Sequence, residues 1–508
     1  MNNYKYLLIG IIVGILVTYY LKNINSINLP KDINRKIEKF NNDKTDYYLD
    51  LIKHYQDDSM KKKAVCFLFE NISNHSDFYQ KKGLDYGIIT SNQLIENIDL
   101  AFYQSNFLLK DSLIDFNAFC EFVLPYRIGK EPLNNWRKNA LDYANKILDT
   151  INISSKLNPL EIINSINNYI SKNFIFSYQC ERADSIEWSK LIKIKRGDCY
   201  TMSYLPIYPL RALGIPVAID FTNSWGNTNG GSHSWNAIVY NTNNSIPFMG
   251  CEANPGKYNP FKICLNTQRR PAKVFRKKYT KNGDIISALY NKNVLEYLKL
   301  DDDCVIDVTD FYSVTTNIRL NVNRNLKDST VLYICVYSNN KWVPAFADFT
   351  KNHQVTFKKM ACDMLYLPCQ YLNGEFMPII DPIIVDKKGS ITFKSTNENK
   401  FENITLYNLL SNVTEMQLLF SKKLKGRSFD SCAADIENNR YRITPKVNQK
   451  YELFYWQNRW KFAAETCTKD GKIIFYKIPK NSIYKIQGTD FDNFSRPFIV
   501  EKDKIIWL

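Results

Sequence analysis

At 508 residues, with 45% hydrophobic and 14% aromatic content, the chain is too long for a single core and too rich in core-forming side chains for a disordered protein. Its formal charge of +16 comes from Lys and Arg scattered along the sequence. There is no basic stripe, helix-turn-helix pattern or aromatic RNA-binding signature, which argues against a nucleic-acid partner. Twelve cysteines at irregular spacings contain no Cys-x-x-Cys, so neither a zinc site nor a disulfide scaffold is indicated, and no metal or organic cofactor is implied.

In residues 1–23, Lys5 precedes an uncharged run from Leu7 to Leu21. The run is short against the roughly 20 residues of a spanning helix, but tyrosines border it and it lacks an Ala-x-Ala cleavage site. The expectation is an uncleaved signal-anchor that contacts the membrane. Residues 24–173 read as a helical lead-in. Trp136, Ala140, Leu141, Ala144, Ile147 and Leu148 recur at helical spacing, as do Ile162, Ile163, Ile166 and Ile170, and such stripes are core. Glu121, Arg127, Glu131 and Arg137 are numerous enough for an ion-pair network that orders this region.

The stretch from Arg196 to Gly250 carries the chemistry. Gly197-Asp198 precedes Cys199 at a helix start, and Leu213-Gly214-Ile215-Pro216 closes that helix, although Pro206 and Pro209 inside it predict a kink. Residues 217–221 read as a buried strand. A glycine-rich loop to Ser232 leads to a second strand, where His233, Trp235, Ala237 and Val239 share one face, and residues 246–250 form a third. A thiol becomes a good nucleophile when a helix N-terminus and an imidazole remove its proton, so Cys199 and His233 are the expected nucleophile and base. His54, His75 and His353 have no comparable surroundings.

Beyond 300 the period becomes two, with short strands separated by turns, as in β-sandwiches. Two such domains are expected, at 301–400 and 401–508, divided at the polar segment Ser395–Lys400. Trp342, Trp456 and Trp460 are candidates for sugar contact or for packing. Asp301-Asp302-Asp303 lacks Ca²⁺-loop spacing. Cys362 and Cys369 could pair across strands in an oxidising compartment. No candidate catalytic residue lies beyond 300, so thiol reactivity is expected to survive removal of the β domains.

Arg196-Gly197-Asp198-Cys199, then Arg211-Ala212-Leu213-Gly214-Ile215-Pro216-Val217, then His233-Ser234-Trp235-Asn236, resembles the core of the transglutaminase-like superfamily. Lys63–Asn71, Glu121–Arg127 and Glu131–Arg137 resemble the helical lead-in of large bacterial surface proteins carrying this domain, and residues 451–456 and 496–507 resemble their tail. The resemblance implies a multidomain α+β chain: a helical N-terminal region, a papain-like core at 174–300 and two C-terminal β-sandwiches, with the body outside the cytoplasm at the cell envelope. It also implies thiol-dependent acyl transfer on protein or peptide amides, as a peptidase or amidase before a cross-linking enzyme. The other reading is a degenerate core serving as a protein or glycan binding module, with glycan held by the β domains. Members usually carry an Asp on the strand after the histidine. Here that position falls at Met249, leaving Glu252 as the nearest carboxylate, with Asn236 and Asp220 as weaker options. The oxyanion donor beside the Cys199 N–H is Trp188 or Gln179, and Trp235 and Asn236 are further substrate-side candidates.

Overall fold

The computed structural model describes residues 42–77, 85–151, 158–227, 231–241, 244–264, 267–281, 296–298, 300, 304–322, 326–338, 340–410, 442–468, 470–488 and 495–508. The expected signal-anchor and the Asp301–Asp303 run lie outside them. Among the described residues no helix is long and apolar enough to cross a membrane. The chain forms two compact units. The first holds the described residues up to Val217 together with 239–244, and the second holds 218–238 and 245–508. The division therefore falls inside the expected 174–300 core and not at its ends.

The first unit is helical, as the apolar periodicity predicts: α1 Asn42–His54, α2 Ser59–Asn71, α3 Ser91–Lys110, α4 Phe116–Phe122, α5 Trp136–Thr150, α6 Pro159–Ser171 and α7 Cys199–Ala212. The stripes of α5 and α6 are buried. Both helices pack on α7, whose residues Thr201–Ala212 are all buried, and a helix apolar on every side belongs at the centre of its unit. This is why the Cys199 helix groups with the lead-in. The helix continues through Pro206 and Pro209 to Ala212. It ends in a Schellman motif, with Gly214 N–H on the Arg211 carbonyl and Ile215 N–H on that of Leu210, both at 3.0 Å. Gly214 has φ +81°, and a Cβ there would meet Ser105 at 2.7 Å, so only glycine closes this helix.

The expected ion-pair network is present only in part. Arg127 makes its bidentate pair with Asp85, an acid the sequence pattern did not single out, at 2.7 Å through both Nε and Nη2. Glu131 instead accepts the Ile128 and Gly129 N–H groups at 2.8 and 2.7 Å. Arg137 is buried on carbonyl oxygens of Val123, Pro125 and Arg211, and burial followed by the neighbouring Arg211 charge lowers its pKa to about 9.

The remainder of the described chain is built mainly on strands. A five-stranded sheet contains β3 Val217–Thr222, β4 His233–Asn241, β5 Asn244–Phe248, β6 Phe275–Lys277 and β7 Val305–Asp307 in the order β5-β4-β3-β6-β7. Its last strand lies past residue 300. A larger sheet between Val331 and Phe393 follows, then a five-stranded one between Lys450 and Trp507. Phe221 and Phe275 of the first sheet share one core with Leu332, Phe357, Tyr366 and Trp456. Ser395–Lys400 is not a linker, because residues 397–406 form a strand paired to 473–480. Its first four residues are largely exposed on a two-stranded ribbon, and this solvation accounts for their polarity. Trp342, Trp456 and Trp460 pack edge to face at 5.2–5.4 Å. Cys362 and Cys369 are not disulfide-bonded. The buried Cys369 lies beside Cys335, which hydrogen-bonds to it.

Candidate active site

On the thiol side, Asp198 caps α7, accepting the Tyr200 and Thr201 N–H groups at 3.1 and 3.0 Å from extended backbone. The half-buried Cys199 is the first helical residue, so its N–H belongs to the set that a helix leaves without an internal acceptor. The chain reaches this point along β2 Arg196–Gly197, which pairs in parallel with β1 Ile175–Phe176. A Cβ at Gly197 would meet Thr201 at 2.4 Å, and this close approach of strand to first turn requires glycine. Asp198→Ala is expected to cost about 1 kcal/mol of stability, read as a lower unfolding midpoint, and to slow Cys199 alkylation as the first turn frays.

The same pairing ties the segment that carries one oxyanion candidate to the start of α7. Ile175 N–H bonds to Lys195 O and Ser177 N–H to Gly197 O, both at 2.8 Å, and Thr201 Oγ1 contacts Cys180 Sγ at 3.7 Å. Gln179, exposed and turned by its N–H on Ser177 Oγ at 3.2 Å, therefore sits on a segment strapped to the start of α7. Trp188 does not. It is buried and stacks on Tyr208 at 5.0 Å, nine residues beyond Cys199 and so roughly 13 Å along the helix. Its apolar surface is used in packing α7 against α5.

On the imidazole side, His233 opens β4 between two indoles, with Trp225 at 6.1 Å and Trp235 at 5.7 Å, each tilted by about 35°. Trp235 is fully buried and donates its Nε1–H to Tyr312 Oη at 3.0 Å, which makes it a buried wall beside the imidazole. Tyr312 in turn donates to Asp220 at 2.6 Å. Asp220 is held by Arg276 at 2.7 and 2.8 Å and is not directed at His233. Asn236, on the opposite face of β4, accepts Gly250 N–H at 3.2 Å. Burial, and then the charge of Arg269, hold the His233 pKa well below 6.5, so the imidazole is neutral at ordinary pH.

Glu252 does not take the place expected of it. Reciprocal bonds between Met249 and Ala253, at 2.8 and 3.0 Å, close a tight hairpin with Cys251 left-handed at φ +61°, and Glu252 is exposed at its tip. The group on the ring is Tyr258, whose Oη lies 2.8 Å from His233 Nε2. Sequence reasoning missed it because it is 25 positions from the histidine and on a loop. The only available signal was the Pro255-Gly256 turn just before it.

Residues 146–248 match the family model described as Transglutaminase-like superfamily, and the chain carries a domain of that superfamily over this stretch, which includes both Cys199 and His233. No curated protein matches the chain. Among solved structures it is similar to a Cytophaga hutchinsonii protein provisionally assigned as a cysteine protease. Identity is 18% over 26% of this chain and 42% of that one, with a TM-score of 0.21. It is also similar to red sea bream transglutaminase, at 9% identity over 70% of each chain and a TM-score of 0.21. The chain thus covers under half of the first of these structures.

Proposed function

We propose that this protein is a thiol-dependent amidase or peptidase, with Cys199 as nucleophile and His233 as its base. The reading rests on one observation above the others. Cys199 is the first residue of an Asp198-capped helix whose approach strand is paired with the segment bearing Gln179, within the stretch that matches the superfamily. In the reaction the Cys199 Sγ–H proton passes to His233 as sulfur bonds to the amide carbon. The oxyanion is held by the Cys199 N–H and the Gln179 side chain. The imidazolium then protonates the departing amine as the C–N bond breaks. Water, deprotonated by the same imidazole, displaces sulfur from the thioester and restores the thiol. Hydrolysis is favoured over transfer because water is always present.

The test is to incubate the protein with a library of peptides and glycopeptides, with and without a lysine-like amine, and to quench in acid. Mass spectrometry should find amide cleavage and an acyl adduct on Cys199. Incorporation of the amine in place of cleavage would identify a transferase. Absence of both adduct and turnover would overturn the proposal and leave a binding module.

A further inference from the structure

The His233–Tyr258 contact is built, not incidental. Asn254-Pro255-Gly256-Lys257 forms a turn closed by Lys257 N–H on Asn254 O at 3.0 Å, with Gly256 at φ +78°, as a type II turn requires at its third residue. Beyond Tyr258, Asn259 Oδ1 accepts Phe261 N–H at 2.9 Å. Arg269 donates to Phe261 O at 2.7 Å and to Pro260 O at 3.2 Å, while its guanidinium covers Trp225 at 4.4 Å. The phenol is thus fixed from both sides of the loop. Among the described residues, the groups around the imidazole are Trp225, Trp235, Tyr258 and the charge of Arg269, with no carboxylate among them.

We propose that Tyr258 is the positioning residue of His233: its oxygen accepts the Nε2–H, which leaves Nδ1 bare as the nitrogen that takes the Cys199 proton. The role of Nδ1 rests on the function proposed above, whereas the contact does not. Which nitrogen of a neutral imidazole is protonated follows from the hydrogen bond made by the other. A phenol donating to Nε2 would instead move the proton to Nδ1 and leave no base there. Because the partner is neutral, the site favours a thiol and a neutral imidazole at rest, where a carboxylate would favour the charged pair.

With only four histidines in the chain, nitrogen NMR of histidine-labelled protein can read the tautomer directly, using His233→Gln to assign the signals. The expected wild-type result is Nε2–H with Nδ1 unprotonated. Tyr258→Phe, which removes only the hydroxyl, should abolish this preference and slow iodoacetamide alkylation of Cys199 by about tenfold or more near neutral pH. An Nδ1–H tautomer in the wild-type protein would overturn the proposal without recourse to any variant, as would Tyr258→Phe with tautomer and rate both unchanged. A tautomer set by Tyr258 with no response at Cys199 would support the positioning contact and overturn the pairing of His233 with that thiol, so the two failures are distinguishable.

Discussion

Cys199→Ala is expected to lower amide turnover by about 10⁴-fold or more, and His233→Ala by a comparable amount, because a nucleophile and its base act as one unit. The double variant should be no slower than the worse of the two. Additive losses would mean that the residues serve separate steps. The pH profile adds a sign. Burial and Arg269 hold the His233 pKa well below 6.5, so the base form persists as pH falls, and the acid limb of kcat/KM should lie well under pH 6.5. The same shift acts on stability. Between 6.5 and the lower folded value the unfolded chain binds a proton that the folded chain does not, so the contribution of His233 is full above pH 6.5 and is lost as pH falls. A rate that halves at pH 6.5 would contradict the buried neutral imidazole.

The order of helix, strand, histidine strand and strand was legible in the sequence because each element carries a local signal. These are the Asp198 cap, the Gly214-Ile215-Pro216 closure, the β-branched run at 217–221 and the alternation from His233. The helical lead-in was legible for the same reason. What failed was pairing over long separations. Asp85 and Arg127 are 42 residues apart, and nothing local marks either as the other's partner. Asp220, Arg276 and Tyr312 meet from three segments spread over 92 residues. Glu252 was favoured for its nearness in sequence to β5, but a hairpin tip four residues past a strand points where the turn sends it, and the chain's second reversal at Gly256 delivers Tyr258 instead. The residue 300 boundary was set by a change of period. The sheet, however, takes its last strand from beyond that change.

Asp220→Ala is expected to be the most destabilising single substitution in the histidine-bearing sheet, by about 3–5 kcal/mol, because it leaves a buried guanidinium without its counter-ion. Asp220 is fully buried, and Arg276 is 3% exposed, with Ser245 Oγ at 3.0 Å as its other side-chain acceptor. The loss extends to Tyr312, whose hydroxyl loses the carboxylate it donates to while still accepting from Trp235. Tyr312→Phe should cost less, about 1–3 kcal/mol, the penalty of stranding the Trp235 N–H in a buried site. Lys61→Ala, which breaks the partly exposed pair with Asp99, should cost no more than about 1 kcal/mol. Urea unfolding followed by tryptophan fluorescence measures all three, and equal midpoint shifts for Asp220→Ala and Lys61→Ala would refute the ranking. A functional reading comes with it. Trp235 lies against His233, so Tyr312→Phe should also loosen the imidazole and reduce Cys199 alkylation, although Tyr312 itself acts only through Trp235. A chain ended at residue 300 lacks both β7 and Tyr312 and is expected to lose the histidine sheet altogether, with proteolysis of residues 218–281 in the truncated protein as the measurement.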